Sequence, residues 1–198
     1  MTESIQADIA HTAAKLVVED GLEYGAAKQR AVKQLKLSAR TALPDNDSIE
    51  AAVREYISVF CADTQPDELA ALRALAITWM QRLHAYQPLI GGAVWHGTAT
   101  HLSDIYLQLF TDDAKSVEID LINHNVAYEV SRVPGLQGSV DALSIHAWCE
   151  GLNEEIGVHL LVNASNAQRG ALQPDSQGRK PRGSLAMLQK RIQQGSTP

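Results

Sequence analysis

The apolar residues of this chain change their repeat once, at Pro88, and that change restricts the fold more than any other feature. Before it, three runs recur at helical spacing: Ile5, Ile9, Ala13, Leu16 and Val17; Ile49, Val53, Tyr56 and Phe60; and Leu69, Leu72, Ala76, Trp79 and Leu83. After it, Ile105, Leu107 and Leu109 alternate with Asp104, Tyr106 and Gln108, the period of a half-buried strand. The switch predicts an α+β fold, with a helical N-terminal half followed by a mixed β-sheet and its flanking helices.

Local signals divide the chain further. Asp20-Gly21 ends a first helix, and a second runs from about Tyr24 to Leu37 with Ala27, Ala31 and Leu35 inside and Lys28, Arg30, Lys33 and Lys36 outside. Helix, glycine turn and basic helix fit either a helix-turn-helix or a helical hairpin, and the small Gly25-Ala-Ala surface suits the hairpin. Leu43-Pro-Asp-Asn-Asp-Ser is a break that carries a cap for the third helix, and Thr64-Gln-Pro-Asp67 reads as a capping box opening a long fourth helix that ends near Tyr86-Gln-Pro.

A short apolar strand is then expected over Ala93 to Trp95, followed by a polar turn at Gly97 and the alternating strand. Ala114, Val117, Leu121 and Ile122, capped by Thr111 or Asp112 and closed by His124-Asn125, predict a helix. Strands are expected over Val126 to Val133, Leu143 to Trp148 and Gly157 to Val162, the last two forming an antiparallel pair. Ser184 to Ile192 reads as a terminal helix. The expected regions are thus helical (1–87), α/β (88–164) and a basic tail with its helix (165–198).

Charge is unevenly placed. From Ser165 onward the chain carries +5, leaving −11 on the remainder of a total of −6. An acidic body argues against broad binding to nucleic acid, whereas the tail can face water or meet a phosphate, with Arg169 and Arg182 as possible contacts. No apolar run approaches the ~20 residues that cross a bilayer, and Met-Thr-Glu-Ser-Ile-Gln lacks the order of a signal peptide, so a cytoplasmic protein is expected. Cys61 and Cys149 match no zinc spacing and are expected as thiols.

The chemistry concentrates in Gly91-Gly-Ala-Val-x-x-Gly-Thr-Ala-Thr-x-x-Ser-Asp-Ile-x-Leu. Asp104 stands at the start of a strand, beside a turn of Gly97, Thr98 and Ser103 whose backbone N–H groups and hydroxyls suit a metal-bound phosphate. This stretch resembles the signature of the polymerase-beta-type nucleotidyltransferase superfamily, in which a glycine and a small hydroxyl residue precede a Ser-Asp-hydrophobic-Asp strand. The resemblance covers roughly Pro88 to Val133. It implies a mixed sheet flanked by helices, a nucleoside triphosphate as ligand and two Mg2+ ions.

Carried over residue by residue, it makes Asp104 the first metal-binding catalytic acid and Glu129, after the intervening helix, the third. Gly97, Thr98, Ser103 and Tyr106 become the nucleotide-contacting residues. Tyr106 stands where the family has its second acid, and a phenol with a pKa near 10 does not replace a carboxylate at neutral pH. Asp104 and Glu129 are therefore expected to approach closely enough to share one Mg2+. Two functions follow: a divergent nucleotidyltransferase, or an inactive module that binds a nucleotide, another small phosphate, a protein partner or a second copy of itself.

A Gly-x-x-Gly-Lys-Thr/Ser phosphate loop is absent. The histidines offer another reading: a hairpin centred on Leu152-Asn153 would set His146 opposite His159 and, with Glu150 or Glu155, make a metal site for zinc. His96 and His101 flank the Gly97 turn and could touch a phosphate.

Overall fold

The computed structural model describes residues 2–175 and 178–195. It resolves into two compact units, one formed by residues up to Asp67 together with Thr100–Leu102, the other by Glu68–Ala99 and the chain from Ser103 onward. The boundary thus falls inside the fourth helix rather than after it.

Three helices build the first unit: α1 (Thr2–Asp20), α2 (Tyr24–Gln34) and α3 (Asn46–Phe60). Ile9, Ala13 and Ala14 of α1 pack with Ala27 and Ala31 of α2 and with Ile49 and Val53 of α3, all with no exposed surface. The alanines let the helix axes approach, so α1 and α2 form a hairpin. Gly21, at φ +66, turns the chain between them. Asp45 caps α3 by accepting from the Ser48 N–H at 2.7 Å, which closes one of the unpaired donors of the first turn.

The second unit begins with the main part of α4 (Gln65–Arg82) and contains β1 (Leu89–Gly91), α5 (Gly92–His96), β2 (Ile105–Phe110), α6 (Ala114–Asn123), β3 (Glu129–Pro134), β4 (Ser139–Cys149), β5 (Glu154–Asn163) and α7 (Leu185–Gly195). The five strands form one mixed sheet in the order β1-β2-β5-β4-β3. Only β2 and β5 run parallel. Ile105, Leu107 and Leu109 of β2, Val158 and Leu160 of β5, and Leu143 and Ile145 of β4 meet Leu72, Ala76 and Met80 of α4 and Val117 and Leu121 of α6 in one core. The other face of the sheet carries the polar residues of the same strands.

Several local expectations change. Asp113, not Thr111 or Asp112, caps α6, its side chain accepting from the Lys115 N–H at 3.0 Å. Leu35, expected inside α2, is its exposed C-cap. The segment Ala93 to Trp95 is helical, because Gly92 at φ +67 breaks the strand after Gly91. Val94 and Trp95, adjacent in sequence, are both buried, which a helical turn allows and an alternating strand does not. The strand expected from Val126 starts at Glu129. Its first residues are spent closing α6, with Asn125 at φ +55 and the Val126 N–H donating to the Leu121 carbonyl. The β4–β5 hairpin turns at Asn153 (φ +55) with Cys149 paired to Glu154, so its register differs by two residues from the expected one.

Part of the basic tail is packed, while Arg169, Lys180 and Lys190 are exposed. Gly183 exchanges two backbone hydrogen bonds of 2.9 Å with Ile90, and the Lys180 carbonyl accepts from the Trp95 indole at 2.7 Å. Arg191 lies over the Trp95 ring at 3.7 Å and donates to the Trp95 carbonyl. Half-buried Arg182 donates to the Ala171 carbonyl at 3.3 Å, and burial lowers the pKa of its guanidinium, whereas Arg169 is exposed.

Candidate functional site

Residues directly opposite one another in a ladder share a face, so the pairings place the polar side chains in rows across the sheet. Tyr106 pairs with His159, His159 with Ser144, and Ser144 with Glu129. One step toward the start of β2, Asp104 lies beside Gly157, which pairs with His146. The face opposite the core therefore presents Asp104, Tyr106, His159, Ser144, His146 and Glu129.

Three of them are joined by hydrogen bonds. His159 Nε2 donates to Asp104 Oδ2 at 3.0 Å, and Ser144 Oγ lies 2.8 Å from His159 Nδ1. The carboxylate accepts only, so in the neutral imidazole the proton sits on Nε2 and the Nδ1 lone pair faces the Ser144 hydroxyl. Tyr106 stacks on the His159 ring with centroids 4.8 Å apart and an interplanar angle of 27°. The cluster is open to solvent, with 23% of the His159 side chain and 44% of the Asp104 side chain exposed. Gly157 makes the approach of Asp104 possible, since a Cβ there would stand 2.6 Å from Asp104 Oδ1.

The cation shared by Asp104 and Glu129 is a correction. The two acids are on one face, but β5 and β4 lie between their strands. Three spacings of ~4.8 Å put their backbones roughly 14 Å apart, too far for oxygens that must each reach a cation at about 2.0 to 2.6 Å. The strand that returns in parallel beside β2 is β5, not β3, so the position next to the Asp-x-Tyr strand is filled by His159.

The Gly97-Thr98 turn is also used differently. Both backbone N–H groups donate to the Ala93 carbonyl, at 2.8 and 3.0 Å, and close α5, with Gly97 at φ +85. Thr98 is buried, and its Oγ1 is the one buried side-chain polar atom without a hydrogen-bond partner among the described residues. Arg73 of α4 approaches this turn and donates to the Val94 carbonyl at 3.2 Å. Burial, and then the charge of Arg191, lower the pKa of its guanidinium. Ser103 is half-buried just before Asp104.

His146 pairs with Gly157 and His159 with Ser144, so the two imidazoles are not opposite one another. No group of three or more His, Cys, Asp or Glu side chains able to hold a metal occurs among the described residues. Neither a zinc site nor a two-magnesium centre, which needs several carboxylates around cations about 3.5–4 Å apart, fits the described residues. His96 ends α5, and His101 belongs to the three residues that group with the helical unit. Both cysteines are free thiols.

Sequence reasoning missed the partnership of Ser144, His159 and Gly157 with Asp104. The signal was present in the alternation of β4 and β5, but it becomes a site only with the correct hairpin register and with β5 beside β2.

The molecule is defined by these features as an α+β chain whose mixed sheet is apolar on one face and carries hydrogen-bonded Ser144, His159 and Asp104 on the other. No protein-family model matches the sequence, and no curated protein matches it. Several solved structures are similar to parts of it, among them the following three. The Cid1 poly(U) polymerase with bound MgGTP has 14% identity and a TM-score of 0.36 over 56% of this chain and 38% of its own. Cid1 in complex with its short product ApU has 17% identity and a TM-score of 0.37, over 60% of this chain and 39% of its own. A cytoplasmic RNA terminal U-transferase has 16% identity and a TM-score of 0.34, over 55% of this chain and 36% of its own. The chain spans less than two fifths of the length of these structures. No helix of the described residues is long and apolar enough to cross a membrane.

Proposed function

We propose that the chain is a nucleotidyltransferase-like module that binds a nucleotide on the polar face of its sheet and does not transfer a nucleotidyl group by two-metal chemistry. The observation that carries this reading is the stacked pair of Tyr106 and His159, beside Asp104 on an open sheet face. In the stretch that resembles the superfamily signature, Asp104 and Tyr106 point to this face, as the resemblance requires of the two acid positions. What has changed is the chemistry at those positions. A phenol replaces one carboxylate, and the other is hydrogen-bonded to an imidazole.

An aromatic pair in that place offers a stacking platform, and stacking of a base on an aromatic side chain contributes about 1–3 kcal/mol in single-stranded nucleic-acid complexes. A thermal-shift series with nucleoside triphosphates in EDTA, repeated with magnesium, tests the reading. Ligand at about 100 times its dissociation constant adds ~2.7 kcal/mol to stability. A rise in melting temperature that does not need the metal is expected. No rise with any nucleotide sinks the proposal.

A second reading, a protein-interaction module, draws on the helical unit. Val59 and Phe60 at the end of α3 are 64% and 69% exposed, beside a groove lined by His11, Ala52 and Tyr56. Self-association that is lost in Phe60→Glu would favour it, and a monomer at all concentrations would count against a homodimer.

A further inference from the structure

We propose that Ser144 is an activated nucleophile, with His159 as its general base and Asp104 as the group that orients the imidazole. This goes beyond nucleotide binding and does not depend on it. The three side chains come from three adjacent strands whose registers are fixed by the ladder: Ser144 is opposite His159 on the β4–β5 pair, and Asp104 precedes the residue paired with Val158 on β2–β5. The distances of 2.8 Å (Ser144 Oγ to Nδ1) and 3.0 Å (Nε2 to Asp104 Oδ2) form a continuous path for one proton. Compared with the familiar serine triad, the two ring nitrogens exchange roles, but the logic is the same: a base within reach of the hydroxyl, itself held by a carboxylate.

Tyr106, stacked on the ring, removes the rotations that would break both bonds. Solvent reaches the relay, since Ser144 is half-buried and His159 and Asp104 are partly exposed.

The surroundings also define the substrate class. Ser144 is paired with Glu129 on β3 and with His159 on β5, so its own backbone N–H is directed into a ladder, and the pairing with β3 ends at this residue. The nucleophile's own N–H, which contributes to the oxyanion hole of the familiar serine triad, is therefore not turned toward a substrate. An electrophile that carries a good leaving group, such as an activated acyl ester, a mixed acyl–phosphate anhydride or a phosphoryl donor, depends least on such a donor. In the step, the Ser144 O–H proton passes to His159 Nδ1 as the Oγ bond to carbon or phosphorus forms. The bond to the leaving group breaks, and the leaving group departs with its electron pair and takes up a proton from the imidazolium or from water.

A fluorophosphonate probe tests the proposal on the full chain. It forms an Oγ–P bond and expels fluoride, and the adduct is located by peptide mass spectrometry. The expected result is one adduct per chain, on Ser144, formed at least about 100-fold faster than on the same chain unfolded in urea, since a positioned general base contributes about 10²–10⁴-fold. His159→Gln keeps hydrogen-bonding capacity but cannot take the proton, and should lower the rate at least about 10-fold. Ser144→Ala should abolish the adduct. Labelling of folded wild type no faster than of the unfolded chain, an adduct on another residue, or an unchanged rate in His159→Gln would each overturn the assignment. The comparison of folded and unfolded wild type needs no variant, so a Ser144→Ala chain that fails to fold does not rescue the proposal.

Discussion

Asp104 accepts a hydrogen bond from His159 Nε2 at 3.0 Å across the parallel β2–β5 pair, so the one carboxylate of the Asp-x-Tyr strand has an imidazole rather than a second carboxylate as its neighbour. The missing Cβ of Gly157 keeps the contact open. Gly157→Ala places a methyl 2.6 Å from Asp104 Oδ1, but the atom that must move belongs to a side chain that is 44% exposed. Alanine is also better than glycine inside a strand by about 0.5–1 kcal/mol. The variant should keep its stability within about 1 kcal/mol of wild type while the Asp104–His159 bond is lost. Imidazole 15N shifts report the tautomer of His159. An unchanged spectrum would mean that Asp104 does not fix the ring.

Gly183→Ala should behave in the opposite way. Its Cβ would stand 2.2 to 2.8 Å from three ring carbons of Trp95, and that ring is 2% exposed. Rigid overpacking of this kind costs about 1–3 kcal/mol. Urea unfolding monitored by tryptophan fluorescence should show a lower midpoint. A midpoint equal to wild type would mean that the segment around Gly183 does not press on Trp95.

The cap of α3 predicts an acid dependence. The hydrogen bond from Ser48, more than the charge of Lys28, holds the Asp45 carboxyl below the usual carboxylate range. A depressed folded pKa stabilises the native state above the unfolded value, near 3.9, and this stabilisation is lost as the pH falls through the lower folded value. Helical circular dichroism should therefore fall less steeply between about pH 5 and 2 in Asp45→Ala than in wild type. Parallel acid curves would show that the cap does not contribute.

How much of this was legible in the sequence depended on the range of the interaction that decides each feature. The cap at Asp45, the buried stripe of α4, the strand of Ile105, Leu107 and Leu109 and the helix closed by His124-Asn125 are local patterns, and all formed. The helix over Ala93 to Trp95 was hidden, because two buried residues in succession resemble a short buried strand until the backbone of Gly92 is known. The edge position of β3, and with it the separation of Asp104 from Glu129, is set by which strands close around the core, and no residue of β3 announces it. The meeting of His159 with Ser144 rather than His146 turned on a two-residue difference in one hairpin, fixed by Asn153.

Tyr106→Asp tests whether the second acid position has lost metal chemistry. The new carboxylate would alternate with Asp104 on the same face, and two like charges there repel until a cation arrives. Magnesium affinity measured by isothermal titration should be absent or weak in wild type and measurable in the variant, with some loss of stability in metal-free buffer. Equal affinity in the two proteins would place the side chain of residue 106 outside the site.

Isothermal titration of the wild-type chain with a nucleoside triphosphate, in EDTA and again in magnesium, followed by an assay of the recovered mixture for nucleotidyl transfer, tests the central claim most directly. The account predicts binding of comparable affinity in the two buffers, weakened by Tyr106→Ala, and intact triphosphate afterwards. Magnesium-dependent nucleotidyl transfer that disappears in Asp104→Ala would contradict it, since it would require a metal centre that the residues around Asp104 do not provide.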